Sequence, residues 1–133
     1  MFSFGKDKRL VCDKQFKAVL AHNLRVSDAL LTLYMAENNR GYPRLGISVG
    51  RTCGNAVVRN RWKRLLREVF RQNQDQIPPG FDYLLMISLQ WLKRAEQAAQ
   101  TKKAVKMPTF EQVKASFLAL VKGAVNKIEQ NLN

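Results

Sequence analysis

Basic residues recur every four positions at the centre of this chain. Arg59, Lys63, Arg67 and Arg71 follow one another inside RNRWKRLLREVFR, a stretch with six basic residues and a single acid, Glu68. On a helix, neighbours at i and i+4 lie ~5–6 Å apart at Cβ, so each like-charged pair opposes the helix by a few tenths of a kcal/mol. Projected at about 100° per residue, Val58, Trp62, Leu65, Leu66, Val69 and Phe70 fall within an arc of roughly 140°. Arg59, Asn60, Arg61, Lys63, Arg64, Arg67 and Arg71 are assigned to the other side. The apolar arc predicts a helix held on a core, with a basic face that has no counter-charge of its own. Neutralising a polyanion is the chemistry open to such a face: phosphates supply the missing charges and released counterions favour binding.

Residues for other chemistry are sparse. The chain has one histidine, His22, two cysteines, Cys12 and Cys53, and ten acids. Nothing in their order forms an acid/base pair, a nucleophile dyad or a cluster of metal ligands, so no catalytic residue and no protein-bound metal is expected. His22 reads as the polar end of a helix, and the two cysteines as reduced thiols. The glycines of GRTCGNAV lack the Lys-Ser/Thr ending of a nucleotide-phosphate loop. A net charge of +13 over 133 residues, with a pI near 10.3, repels itself and calls for a polyanionic partner. No apolar run approaches the ~18 residues of a membrane span, and the beginning, MFSFGKDKRL, lacks a secretory signal. A soluble protein that needs no membrane and no protein partner is the expectation.

The elements that must position the basic face follow from periodicity. Asp13 is a plausible N-cap for a first helix carrying Phe16, Val19 and Leu20 on one stripe. In ALLTLYMAE, Leu31, Leu33 and Met35 alternate with Thr32, Tyr34 and Ala36; in RLGISVG, Leu45, Ile47 and Val49 alternate with Gly46, Ser48 and Gly50. A period of two marks half-buried strands. Taken as neighbours, these strands offer a shallow face of Thr32, Tyr34, Ser48 and glycines, to be covered by a helix or left open to a ligand. A further short strand is placed near Thr52. After the break at PPG, FDYLLMISL suits a central strand. Residues 93–108 read as a loop or helical extension. Phe110, Val113, Phe117, Leu120, Val121, Ala124, Val125 and Ile128 then recur at helical spacing. The order α-β-β-(β)-α-β-α predicts a single-domain α+β sandwich over residues 1–133, with residues 1–8 a flexible N-terminus.

The stretch Arg44 to Arg71, RLGISVGRTCGNAVVRNRWKRLLREVFR, resembles the signature of the bacterial ribonuclease P protein subunit. The shared pattern is a Gly-x-Ser-Val strand followed by Gly-Asn-Ala-Val-x-Arg-Asn-x-x-Lys-Arg-x-x-Arg. The resemblance implies an α-β sandwich with a left-handed βαβ crossover. It also implies a cytoplasmic ribonucleoprotein endonuclease in which RNA is the catalyst, Mg²⁺ is bound mainly by that RNA, and the 5′ leader of precursor tRNA is removed. Carried over by position, Arg59, Asn60, Arg61, Lys63, Arg64 and Arg67 would face the catalytic RNA, and Arg71 is assigned to the same face. Phe16, Tyr34 and Ser48 match positions that would line the leader cleft, and Leu20, Thr32 and Arg51 are assigned to the same cleft. Leu20 stands where the family often has a second aromatic, Arg51-Thr52 where two basic residues are common, and Trp62 where an aliphatic is usual. A non-enzymatic RNA-binding module, ribosome-associated or RNA-annealing, is the alternative, and a DNA-binding regulator a more distant one. Only the ribonuclease P reading calls for an open aromatic face beside the Arg-Asn-Arg helix.

Overall fold

The alternating segments pair into a four-stranded mixed sheet, in a computed structural model that describes residues 24–101 and 107–131. The strands are β1 (Arg25–Ser27), β2 (Leu31–Glu37), β3 (Arg44–Ser48) and β4 (Phe81–Ile87). The helices are α1 (Ala56–Gln72), α2 (Leu89–Gln100) and α3 (Phe110–Asn131). The expected first helix, with Asp13, Phe16 and Leu20, and the N-terminal residues 1–8 lie outside the described residues. The spatial order is β1-β2-β4-β3. β2 is antiparallel to both β1 and β4, whereas β3 and β4 run parallel. A parallel pair cannot be closed by a hairpin, and α1 forms the crossover between them.

Two expectations change here. The short strand placed near Thr52 is a 3₁₀ turn, Arg51–Cys53, between Gly50 and Gly54. The extra strand is β1 instead, three residues too few to display a period, held by the pairing of Val26 with Leu33. The stretch from residue 93, read as a loop or extension, begins inside α2, while the preceding strand stops at Ile87. Ser88 ends the strand run: its Oγ accepts the Trp91 amide at 3.2 Å and its carbonyl the Leu92 amide at 3.1 Å, a side-chain cap that starts α2. The helix seats Trp91 edge-on against Trp62, ring centroids 5.1 Å apart and planes at 87°. Trp91 thus supplies a packing partner for the bulk that Trp62 brings to an aliphatic position.

The core lies between one face of the sheet and helices α1 and α3. Leu31, Leu33, Met35, Leu45, Tyr83 and Leu85 from the strands meet Trp62, Leu66, Val69 and Phe70 of α1 and Val113, Phe117 and Val121 of α3. Each such side chain contributes about 1.5–3 kcal/mol by leaving water. Asp28 ties the β1–β2 turn to α3: its Oδ1 accepts the amides of Leu30 and Leu31 at 2.8 and 2.9 Å, and its Oδ2 the Ser116 hydroxyl. The parity that sends these apolar residues inward sends Thr32, Tyr34, Ala36, Leu84, Met86 and Ser48 to the opposite face. At one end of that face Arg44 grips Asp82 through two 2.7 Å hydrogen bonds, and the Asn38 amide donates to the same carboxylate at 2.9 Å.

Candidate nucleic-acid interface

The direction of α1 is set at its entry. Gly54 has φ 136°, a conformation that L side chains rarely adopt, and a Cβ there would sit 3.0 Å from the Val58 side chain. The glycines that suggested a phosphate loop in the sequence therefore include one required by the turn into the helix. Asn55 follows as N-cap, its Oδ1 accepting the Val58 amide at 3.1 Å. No acid occupies the first turn, so the positive end of the helix dipole is left uncompensated by its own side chains.

Burial of Trp62, Leu66, Val69 and Phe70 fixes the rotation of the helix. Asn60, Arg61, Arg64 and Arg67 are exposed, and Lys63 and Arg71 half-buried at the edges. A groove of about 490 Å³ runs along this side, bordered by Asn60, Lys63, Arg64, Arg67, Glu68 and Arg71. Glu68 sits among the cations, paired with the Arg71 guanidinium and accepting the Gln72 amide at 2.8 Å. Hydrogen bonds from Arg71 first, then Gln72, lower its carboxyl from 4.5 to about 2, so it stays ionised at neutral pH. It offsets part of the groove's positive charge.

Arg59 departs from the outward face to which the sequence reading assigned it. It is half-buried, and its Nε is fully buried with no hydrogen-bond partner among the described residues. Helical geometry gives the reason. At about 100° per residue, Arg59 falls between Leu66 and Phe70, inside the apolar arc rather than opposite it. The angle alone would have identified it.

The opposite face of the sheet is also built differently from the sequence reading. β2 and β3, taken as neighbours, are separated by β4. Thr32 stands opposite Met86, and Met86 opposite Ser48, so Met86 and Leu84 form the floor between the two strands. With strands ~4.8 Å apart, Tyr34 and Ser48 border a face about two strand spacings wide. Tyr34 is half-buried beside Ala36 and Leu84, and Ser48 is exposed. Thr32, expected on an open surface, is buried, its hydroxyl 2.9 Å from that of Ser27. Arg51 is exposed on the 3₁₀ turn, while Phe16 and Leu20 lie outside the described residues. No local pattern singles out Met86 and Leu84: FDYLLMI reads as a core strand, and only the strand pairing puts it between β2 and β3.

Among the described residues, no group of three or more His, Cys, Asp or Glu could hold a metal ion, and no helix is long and apolar enough to cross a membrane. Cys53 is a buried free thiol, its pKa raised by desolvation.

Comparison with known proteins places this architecture. Residues 4–109 match the model of the family described as Ribonuclease P. The ribonuclease P protein component of Clostridioides difficile (strain 630) is 37% identical over 84 residues, 62% of this chain and 74% of that protein. That of Petrotoga mobilis (strain DSM 10674 / SJ95) is 36% identical over 84 residues, 63% of this chain and 71% of its own length. The solved structure of the RNase P protein from Thermotoga maritima superposes with a TM-score of 0.70 at 29% identity, covering 86% of this chain and 94% of that one. The sequence signature, the mixed sheet crossed by a basic helix and the extent of these matches lead to one conclusion: the chain belongs to the ribonuclease P protein family.

Proposed function

We propose that this chain is the RNA-binding subunit of a ribonuclease P, partnered with the ribonuclease P RNA through the outer face of α1. The observation that carries the reading is the groove of Asn60, Lys63, Arg64, Arg67 and Arg71, where a single acid faces several cations and phosphates would complete the charge balance. Asn60, Arg61, Lys63, Arg64, Arg67 and Arg71 contact the phosphate backbone of that RNA, and Arg59 does so from its half-buried position. On the opposite face of the sheet, the unpaired 5′ leader of precursor tRNA lies across Tyr34 and Ser48 over Met86 and Leu84, with Arg51 at the end of the cleft. Phe16 and Leu20 belong to the same cleft by the family resemblance. Stacking on an aromatic ring holds an unpaired base without selecting its identity.

Hydrolysis is assigned to the RNA, with Mg²⁺ held mainly by that RNA; when bound, such ions would supply the activated water. The protein's part is to bind and orient, in the cytoplasm, with RNA as its only required partner. Native purification of the chain followed by sequencing of the RNA that accompanies it tests this directly. One structured RNA, accompanied by precursor tRNA, is the expected result. A mixture of ribosomal RNA fragments would overturn it in favour of a general RNA-binding role.

A further inference from the structure

The outward side of α1 is not uniformly basic. At about 100° per residue, Lys63, Arg67 and Arg71 fall on one flank, each step rising about 6 Å along the axis. Val57, Arg61, Arg64 and Glu68 fall within about 60° of one another on the crest beside it. Two of those four have nothing to offer a phosphate. Val57 is 60% exposed, and Glu68, the one acid of the helix, keeps its side chain 41% exposed at the groove. Helix stability does not account for the acid, because an ion pair this open to solvent contributes little. Affinity for phosphate does not account for it either, since the carboxylate repels phosphate and engages Arg71.

The hydrogen bonds of Glu68 indicate what it can do. An ionised carboxylate has about four acceptor positions. Oε1 takes the Arg71 guanidinium and the Gln72 amide, and Oε2 takes Arg71 Nε at 3.1 Å. Nothing else among the described residues donates to Oε2, so one position is left for an outside donor. Arg71 holds both oxygens and thereby orients the carboxylate before any ligand arrives. A strand laid with its phosphates on the flank of Lys63, Arg67 and Arg71 brings the attached sugars over the crest. There the 2′-hydroxyl is a neutral donor that RNA presents on every sugar and DNA lacks. Val57, at the start of the crest, likewise suits a sugar edge better than a phosphate.

We propose that Glu68 is a specificity-determining residue of this face: it accepts a hydrogen bond from one ribose 2′-hydroxyl of the ribonuclease P RNA, while the neighbouring phosphates lie on the cationic flank. A strand that places a phosphate or a deoxyribose at that point leaves the carboxylate uncompensated, so the acid selects against other polyanions. This inference rests on the RNA-binding reading of α1 and names the group that its one acid recognises.

The test is 2′-deoxy interference on the chain reconstituted with ribonuclease P RNA. RNA carrying scattered 2′-deoxynucleotides is partitioned by binding to the parent chain, to Glu68→Ala and to Arg67→Ala, and the excluded positions are mapped. Alanine is used because glutamine keeps a carbonyl acceptor. Positions that interfere with every chain report on the folding of the RNA. Beyond these, one ribose should interfere with the parent chain and with Arg67→Ala but not with Glu68→Ala. Deoxy substitution at that ribose alone should weaken binding by the parent chain about three- to tenfold and leave Glu68→Ala unaffected. Glu68→Ala should melt with the parent chain, because its ion pair is open to solvent. A map unchanged by Glu68→Ala overturns the hydroxyl contact, even where the variant alters affinity through charge or a base N–H. If Arg67→Ala weakens binding in that case, the RNA-binding face stands without it. If Arg67→Ala binds like the parent chain, the face itself fails and this inference with it.

Discussion

At Glu68 a carboxylate sits where phosphate is expected, held there by Arg71 and Gln72. Glu68→Gln removes a charge that repels RNA and frees the Arg71 guanidinium for a phosphate. Affinity for ribonuclease P RNA should rise about two- to fivefold. The salt slope of binding should steepen by up to about 0.9 if Arg71 gains a phosphate contact. Binding titrations across a salt series check both; an unchanged slope would place Arg71 off the RNA. Because the folded carboxyl is depressed from 4.5 to about 2, the pair stabilises the chain above the higher value and is lost as pH falls through the lower one. Its exposure to solvent keeps that contribution small. On the other face, Tyr34→Ala should weaken holoenzyme binding of precursor tRNA by about 1–3 kcal/mol if one base stack is lost. Mature tRNA, which has no leader, should bind as before. Equal losses for both substrates would make Tyr34 scaffold, and a melting curve is needed because Tyr34 also packs on Ala36 and Leu84.

α1 answers to two sets of demands. Its buried side is held by Trp62, Leu66, Val69 and Phe70, and its outward side would repel itself were it alone. Such a helix depends on its sheet and on a well-defined start. Gly54 and Asn55 provide the start, one through a backbone conformation and the other through a cap. Gly54→Ala should therefore lower stability by about 1–3 kcal/mol, since it imposes both the strained φ and the 3.0 Å approach to Val58. Gly50→Ala is the control: φ is −85° and nothing lies within 4 Å of a Cβ there, so its melting temperature should stay close to that of the parent chain. Comparable losses at both positions would show that the turn, and not the left-handed residue, is what matters. α2 starts on Ser88 and is anchored by Trp91 against Trp62, which links the segment after the sheet to the basic helix.

The whole molecule carries +13, and the two faces of its sheet are built differently. Helices α1 and α3 cover one face of the sheet, α1 turning its cations outward; the other face leaves Tyr34 and Ser48 along a strip floored by Met86. If, as proposed, the chain binds a catalytic RNA, its cations would act by screening phosphate from phosphate. The holoenzyme should therefore exceed the RNA alone most strongly at low Mg²⁺, where metal screening is weakest, and the advantage should shrink as Mg²⁺ rises. Cleavage rates of precursor tRNA over a Mg²⁺ series measure this. The chain without RNA should not cleave, and robust cleavage by RNA-free, nuclease-free protein would overturn the assignment of chemistry to the RNA.

The amino-acid sequence by itself determined the inward faces of β2, β3 and α3, because period and burial are local consequences of backbone geometry: Leu31, Leu33, Met35, Leu45, Val113 and Phe117 are all where their spacing put them. It also determined the charge of α1 and the motif that marks the family. What it left open depended on which segments meet. β4 inserts between β2 and β3, since a parallel β3–β4 pair needs a crossover while β2 and β4 can close antiparallel, and that pairing sets Met86 between Thr32 and Ser48. β1 is too short to carry a period and exists through its pairing with β2. The half-burial of Arg59 lay within reach of the sequence, in its angle on the helix. A concavity of about 670 Å³ between the 3₁₀ turn and α2 did not, because its lining comes from residues 52–54 and 89–96, brought together only when α2 packs against the turn that precedes α1.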